Sequence, residues 1–379
     1  MLQVKLLGSL KIDYFLFRLI LLFLELFYLL LLINNEKVKT NSQNIILPLL
    51  VSSVFSVFFG MLEFNSIFVP LGIFTNNILF IFIIFTLEFD SVKINLTPFI
   101  NLIYCYGIIN AILCTIQYIS GDLVISQAYL EGNDTYKSVF YYGEMVRSCG
   151  LFTSALDVGV LMVFCFLYTL YLWKNSSIVK KIMLFMLSLL FAFGIYSTRT
   201  RNIYLLFSFA LLYFMLMKLL TNKRIMNYVY ILITVIIAIF IILKGENFGN
   251  SSEVVSSSTS LGIRIAEWKI WLNSFLNRNI FEILFGNCSG QATGIVTDNI
   301  YMEYLSSFGI VGLIYFMRLF KYILKRVNSC LSYKAYVFSA FVASVFAFGI
   351  FNLPNTFFMI YLPMIYMVMN SEWSDGYEV

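Results

Sequence analysis

The feature that limits this chain most is a repeated one. Eleven stretches are apolar over about 17 residues or more, long enough for a helix to cross a bilayer core. They cover residues 12–33, 45–62, 66–89, 97–119, 151–173, 182–198, 202–220, 227–243, 299–320, 335–352 and 354–370. Inside a bilayer no water satisfies the backbone, so each spanning segment must be a helix or part of a closed barrel. These runs are continuous and do not alternate polar with apolar, which selects helix. The expected fold is an all-α polytopic membrane protein with about eleven (10–12) transmembrane helices. Residues 1–379 form a single integral membrane domain. Residues 244–298 form one large extracytoplasmic loop before the last three helices, flexible and Ser-rich at its start and amphipathic and helical afterwards. Composition agrees: the chain is 60% hydrophobic and 12% charged, against roughly 25% charged in soluble domains.

Charge sets the expected orientation. Loop 321–334 carries Lys321, Lys325, Arg326 and Lys334 with no acid. Loop 174–181 carries Lys174, Lys180 and Lys181, and loop 218–226 carries Lys218, Lys223 and Arg224. Short basic loops face the cytoplasm, and alternation makes these three agree with one another. The two longest connections, 120–150 and 244–298, then lie outside. Counting back puts the N-terminus outside too, where Lys5 and Lys11 are unfavourable; one further membrane element in the first 150 residues would remove that conflict. The net charge of +5 is spread over loops, so there is no basic domain to hold nucleic acid.

Histidine is absent. That excludes His-based zinc sites, Ser-His-Asp triads and His general bases together. The six Cys show no CxxC pair and mostly lie in or beside apolar runs, where Cys acts as a small hydrophobe. No metal or cofactor is called for.

Polar chemistry gathers in three places. In the large loop, Arg264, Trp268 and Trp271 are spaced four and three apart, so a helix puts them on one face. A cation beside flat rings suits an anionic sugar-lipid; it also suits an interfacial helix with Trp at headgroup depth and Arg on phospholipid. Residues 197–202, Ser-Thr-Arg-Thr-Arg-Asn, form a very short outer connection. Arg199 and Arg201 there run against the positive-inside rule, and such charge is costly unless used; snorkelling to outer phosphates is the plain alternative. Arg147 precedes Ser148-Cys149-Gly150-Leu151-Phe152 at the entrance to another helix, with Asp157 inside it. Asp298-Asn299-x-Tyr301-x-Glu303 then opens the span that contains Gly309-x-x-Gly312. Asp-Asn at a helix start is also ordinary capping sequence, and the two glycines also suit close helix packing.

In this order and placement, Arg147-x-x-Gly150-Leu-Phe, Thr198-Arg199-Thr200-Arg201-Asn202, Arg264-x-x-x-Trp268 and Asp298-Asn299-x-Tyr301 resemble the O-antigen polymerase and O-antigen ligase superfamily. The chain looks most like the Wzy-type polymerases of capsule and exopolysaccharide pathways. The resemblance spans about residues 145–320. One departure matters: where many ligases, and some polymerases, have His-Asn, this chain has Asp298-Asn299.

The resemblance implies polymerisation of oligosaccharide repeat units linked to undecaprenyl pyrophosphate, on the outer face of a bacterial plasma membrane. An acceptor hydroxyl attacks the donor's anomeric carbon, and polyprenyl pyrophosphate leaves. The leaving group gains negative charge, so fixed cations at the lipid surface are needed, and the planar fork of Arg fits phosphate oxygens in pairs. Arg264 and Arg201 are the expected catalytic cations, and Arg147 and Arg199 the expected binding ones. Asp298 is the expected base, with Glu303 and Glu267 in reserve; Trp268, Trp271 and Tyr301 would stack on sugar. The expected partners are the lipid-linked oligosaccharide, membrane lipid, a flippase and a chain-length regulator. The alternatives are a ligase moving finished glycan to another acceptor, or a lipid-linked glycan flippase or transporter. Glu25, Glu63 and Glu88, acids in or near the early spans, keep the transporter open.

Overall fold

The protein is described here from a computed structural model, which covers residues 43–64, 70–71, 97–123, 141–142, 145–152, 154–174, 176–220, 223–249, 260–288, 299–329 and 333–349. Among these residues the chain is almost wholly helical. In order come α1 (Gln43–Phe64), α2 (Thr97–Ser120), a two-stranded antiparallel hairpin of β1 (Tyr141–Tyr142) and β2 (Met145–Val146), α3 (Ala155–Trp173), α4 (Ile178–Ser197) and α5 (Arg201–Leu219). Then follow α6 (Lys223–Gly249), α7 (Ser260–Leu276), the short α8 (Ile280–Phe285), α9 (Ile300–Ser329) and α10 (Tyr333–Phe348). The spans expected at 12–33, 66–89 and 354–370 lie almost wholly outside the described residues.

Among the described residues, five segments are long and apolar enough to cross a membrane: Pro98–Ser120, Ala155–Trp173, Ile178–Ser197, Arg201–Leu219 and Ile300–Arg318. The surface says the same. Val54, Phe58, Leu102, Ile178, Val179, Ile182, Met186 and Tyr228 are all more than half exposed. An apolar belt of that extent is untenable in water and is what lipid tails require. The protein is an all-α membrane protein.

The core is built around α3. Val158 to Cys165 and Leu167 to Thr169 are buried on every side of that helix, the pattern of a helix enclosed by others. Phe164 stacks on Tyr168 and meets Phe341 of α10 edge to face at 5.7 Å. Tyr104 of α2 bonds Thr169 at 2.8 Å, and Tyr168 donates to Asn101 at 3.1 Å; in lipid such bonds hold helices together where the hydrophobic effect does not. The α10 residues Ala340 to Val345 are likewise buried, and α10 packs along α5. Tyr213 of α5 reaches Asn227 at 3.0 Å while Phe209 meets Tyr230, so α5 and α6 run antiparallel.

Two rims result. The end of α2, the hairpin, the start of α3, the end of α4 and the start of α5 lie together. The start of α9 and the end of α10 also lie together, since Ile300 donates its amide to the Gly349 carbonyl at 2.9 Å.

Candidate functional site

The first polar site is the rim at the end of α2. Residues 147–152 have no regular structure, yet they pack against a transmembrane helix, where unpaired amides are expensive. Side chains of α2 meet that demand. Gln117 accepts from the amides of Cys149 at 3.0 Å and Gly150 at 2.9 Å, and donates to the Gly150 carbonyl at 3.1 Å. Asn110 accepts from the Leu151 amide at 2.8 Å, and Ser148 donates its hydroxyl to the Cys114 carbonyl at 3.0 Å. Gly150 has φ +57, and a Cβ there would lie 2.4 Å from Asn110 Oδ1, so only glycine fits. Gln117→Leu would strand three buried backbone groups. It is expected to lower stability by about 3 kcal/mol or more, read as a fall in melting temperature in detergent.

This stapled segment brings Arg147 beside the arginine turn. The Ser148 amide donates to the Ser197 carbonyl at 3.1 Å, tying residues 147–149 to the end of α4. Arg147 and Arg199 are half-buried; Arg201, the first residue of α5, is exposed. Arg199 has φ +49, a left-handed conformation that disfavours any side chain with a Cβ. That twist carries its guanidinium over the Tyr118 ring, 4.8 Å from the centroid. Arg199 Nη1 is buried with no hydrogen-bond partner among the described residues. Tyr196 stands beside Tyr118 at 5.8 Å, and Tyr204 donates to the Tyr196 carbonyl at 2.7 Å. The result is a cationic, tyrosine-lined rim at a membrane helix end. Ser154 caps α3 by accepting from Leu156 at 3.1 Å, and Asp157 sits in that first turn, where the helix dipole favours its charge.

The second polar site is a break in α9. That helix is continuous from Ile300 to Ser329 except at Gly309, whose φ of 66 and ψ of −172 are open essentially to glycine alone. The break lies about 14 Å along the helix, near the middle of a membrane crossing. The carbonyls it strands are each taken up. Phe308 O accepts from Ser52 Oγ of α1 at 3.0 Å. Ser307 O accepts from Ser56 Oγ and from the Cys288 amide, the latter at 3.0 Å. Ser306 O accepts from Arg278 at 3.3 Å and from the Asn287 amide at 3.4 Å. Arg278 also donates to Asn287 Oδ1 at 3.1 Å and to Ser306 Oγ at 3.4 Å, and Asn287 donates in turn to the Glu63 carboxylate. Burial holds the Arg278 guanidinium below its usual pKa, with Glu63 and Glu282 pulling the other way. Burial likewise pushes the Cys288 thiol up to about 12, opposed by its bond to Ser56.

Of the other expected site residues, Arg264, Trp268 and Trp271 do share α7. Trp268 is half-buried, whereas Trp271 is 2% exposed and stacks on Phe275 at 5.2 Å, so its ring faces protein. Asp298 lies outside the described residues. The capping role falls to Asn299, which accepts from the amides of Tyr301 at 3.0 Å and Met302 at 3.2 Å. Asn299→Ala should therefore destabilise by about 1 kcal/mol, visible as a small drop in melting temperature. Tyr301 is half-buried and Glu303 is buried in that first turn. Arg278, Asn287 and the serines of α1 were not expected as site residues. Their signals in the sequence were the Gly-containing turn Phe285-Gly286-Asn287 and Ser52, Ser53 and Ser56 within a single apolar run. Among the described residues no group of His, Cys, Asp and Glu is arranged to hold a metal. The chain matches no known protein-family model, and no curated protein matches it.

Proposed function

We propose that this protein polymerises polyprenyl-pyrophosphate-linked oligosaccharide repeat units at the outer face of a bacterial plasma membrane. In this reading the chain crosses about eleven times and the Arg147–Arg199–Arg201 rim faces outward. The observation that carries the reading is Arg199. Its backbone is held in an unfavourable conformation, and its guanidinium lies over Tyr118 with Nη1 buried. Strain of that kind is retained where a side chain is needed at one place. Arginines at a lipid-facing rim bind a diphosphate and stabilise the charge it gains on leaving; tyrosines beside them give the sugars a surface to stack on. Arg264 joins this set from α7, and Asp298 or Glu303 takes the acceptor's proton. A flippase delivers the repeat units and a regulator sets chain length.

A second reading, a lipid-linked glycan flippase or transporter, is favoured by the break in α9, because interrupted helices near midplane commonly form transport sites. Deletion of the gene in its host separates the two, with glycans resolved on a gel. Loss of the polymer ladder, with single repeat units persisting on the outer side, is the expected result. Repeat units trapped on the inner side would mark a flippase. Full-length polymer accumulating on its carrier would mark a ligase. An unchanged profile would sink the reading.

A further inference from the structure

The α7–α8 segment is held at its far end by backbone bonds from the Asn287 and Cys288 amides to Ser306 O and Ser307 O, and between its two helices by one side chain, Arg278. Leu276, Ile280 and Phe281 are more than half exposed along it, so this part of the segment turns apolar groups outward while its other face lies on protein. Against α1, Phe285 packs on Phe55 at 5.1 Å and Phe281 on Phe59 at 6.3 Å. These contacts are apolar and non-directional; they do not fix a register. Arg278 does. It stands between α7 and α8, and its side chain reaches both the Asn287 turn after α8 and the Ser306 carbonyl at the break. It also reaches back into α7: its guanidinium lies 5.6 Å from the centre of the Phe275 ring, which stacks on Trp271. Arg264 is seven residues before Trp271, two helical turns along the same face.

We infer that Arg278 is a positioning residue: by bonding Asn287 and Ser306 at the break in α9 and lying against Phe275, which stacks on the buried Trp271, it sets where α7, the helix that carries Arg264 and Trp268, stands. What that helix acts on rests on the polymerase reading above; the seating itself does not. The forked geometry matters, because one guanidinium serves Asn287 Oδ1, Ser306 O and Ser306 Oγ at once. A lysine keeps the charge and serves these acceptors less well. The Glu63 carboxylate supports the guanidinium both by its charge and through Asn287.

Cys288 is a built-in reporter. It is fully buried, and its amide and thiol both meet Ser56. If the segment is unseated, that thiol is uncovered. The full-length protein in membranes is treated with a small maleimide, and label is quantified on the peptides carrying Cys288 and Cys165, the latter buried in α3. Arg278→Ala should raise labelling of Cys288 by roughly tenfold or more with Cys165 still protected. Arg278→Lys should fall between this variant and the wild type. Equal protection of Cys288 in wild type and Arg278→Ala would overturn the inference. If Cys165 is also labelled in Arg278→Ala, that variant has unfolded and Arg278→Lys decides: raised labelling at Cys288 alone supports the inference, and labelling no greater than wild type, or equal at both sites, overturns it. The labelling needs no turnover. Uncovered Cys288 in a protein whose deletion leaves the glycans unchanged would keep the seating and discard the polymerase reading. If polymerisation stands, Arg278→Lys should shorten the ladder at unchanged protein level.

Discussion

Gly309→Ala is expected not to accumulate as folded protein. Two glycines face each other across the break: Gly286 after α8, at φ 77 and ψ −177, and Gly309 inside α9, at φ 66 and ψ −172. Both sit in a conformational region that side chains avoid, at about 1–3 kcal/mol each. Sterics add to this. A Cβ on Gly309 would lie 2.3 Å from the Leu284 carbonyl oxygen and 2.5 Å from the Phe285 amide nitrogen. Those are backbone atoms of α8 and have no rotamer to retreat into. Relief requires α8 to move off α9, which pulls the Cys288 amide from Ser307 O and the Asn287 amide from Ser306 O. Overpacking of that kind adds about 1–3 kcal/mol, so the total reaches a large part of a stability of about 5–15 kcal/mol. Gly121→Ala is the control. Gly121 also has a positive φ, of +68, but nothing lies within 4 Å of its Cβ position, so it should lose only about 1–2 kcal/mol of backbone strain. Yield of monodisperse protein after detergent extraction, with its melting temperature, reads both. A Gly309→Ala protein that behaves like wild type would mean that α9 is not broken there.

The break also marks where the sequence stops being legible. Residues 97–119, 151–173, 182–198 and 202–220 were readable as spans because lipid imposes one rule on all of them, continuous apolar residues, and the helices found at Thr97–Ser120, Ala155–Trp173, Ile178–Ser197 and Arg201–Leu219 follow it closely. Residues 299–320 obey the same rule, so they read as one uninterrupted helix. Nothing local says that Gly309 turns out of it, because a glycine spaced three from Gly312 reads equally well as a packing face. What makes the break tolerable is supplied from far away: Ser52 and Ser56 from more than 250 residues earlier, Arg278 from 28 earlier. Hydroxyls in an apolar run look like weak defects until their acceptors are known. The arginine rim was more legible, since Arg199 and Arg201 run against the charge rule if their loop lies outside, as the sequence leads one to expect. Its geometry was not. The positive φ of Arg199, and the way Gln117 and Asn110 staple residues 149–151 to α2, depend on residues that carry no pattern of their own.

Arg199→Gly should make a protein of about wild-type stability that no longer makes polymer. Glycine accepts φ +49 without penalty, so the substitution recovers up to about 1–2 kcal/mol of backbone strain. Against that it loses the stacking of the half-buried guanidinium on Tyr118, about 1–2 kcal/mol, while a buried Nη1 with no hydrogen-bond partner among the described residues is removed with it. The balance for the fold is near zero. The balance for the chemistry is not. If Arg199 neutralises charge on the departing pyrophosphate, its removal costs on the order of 10²–10³ in rate, enough to reduce a ladder to single repeat units. Arg199→Lys isolates the reason. Lysine keeps the charge and the strain but loses the fork that takes two phosphate oxygens together, so it should restore only a faint, short ladder at normal protein level. The measurement is complementation of the deletion strain with wild type, Arg199→Gly and Arg199→Lys, with membrane protein levels quantified beside the glycan gel. A full ladder from Arg199→Gly would show that the strained arginine serves neither fold nor chemistry, and the assignment of this rim as the pyrophosphate site would fall.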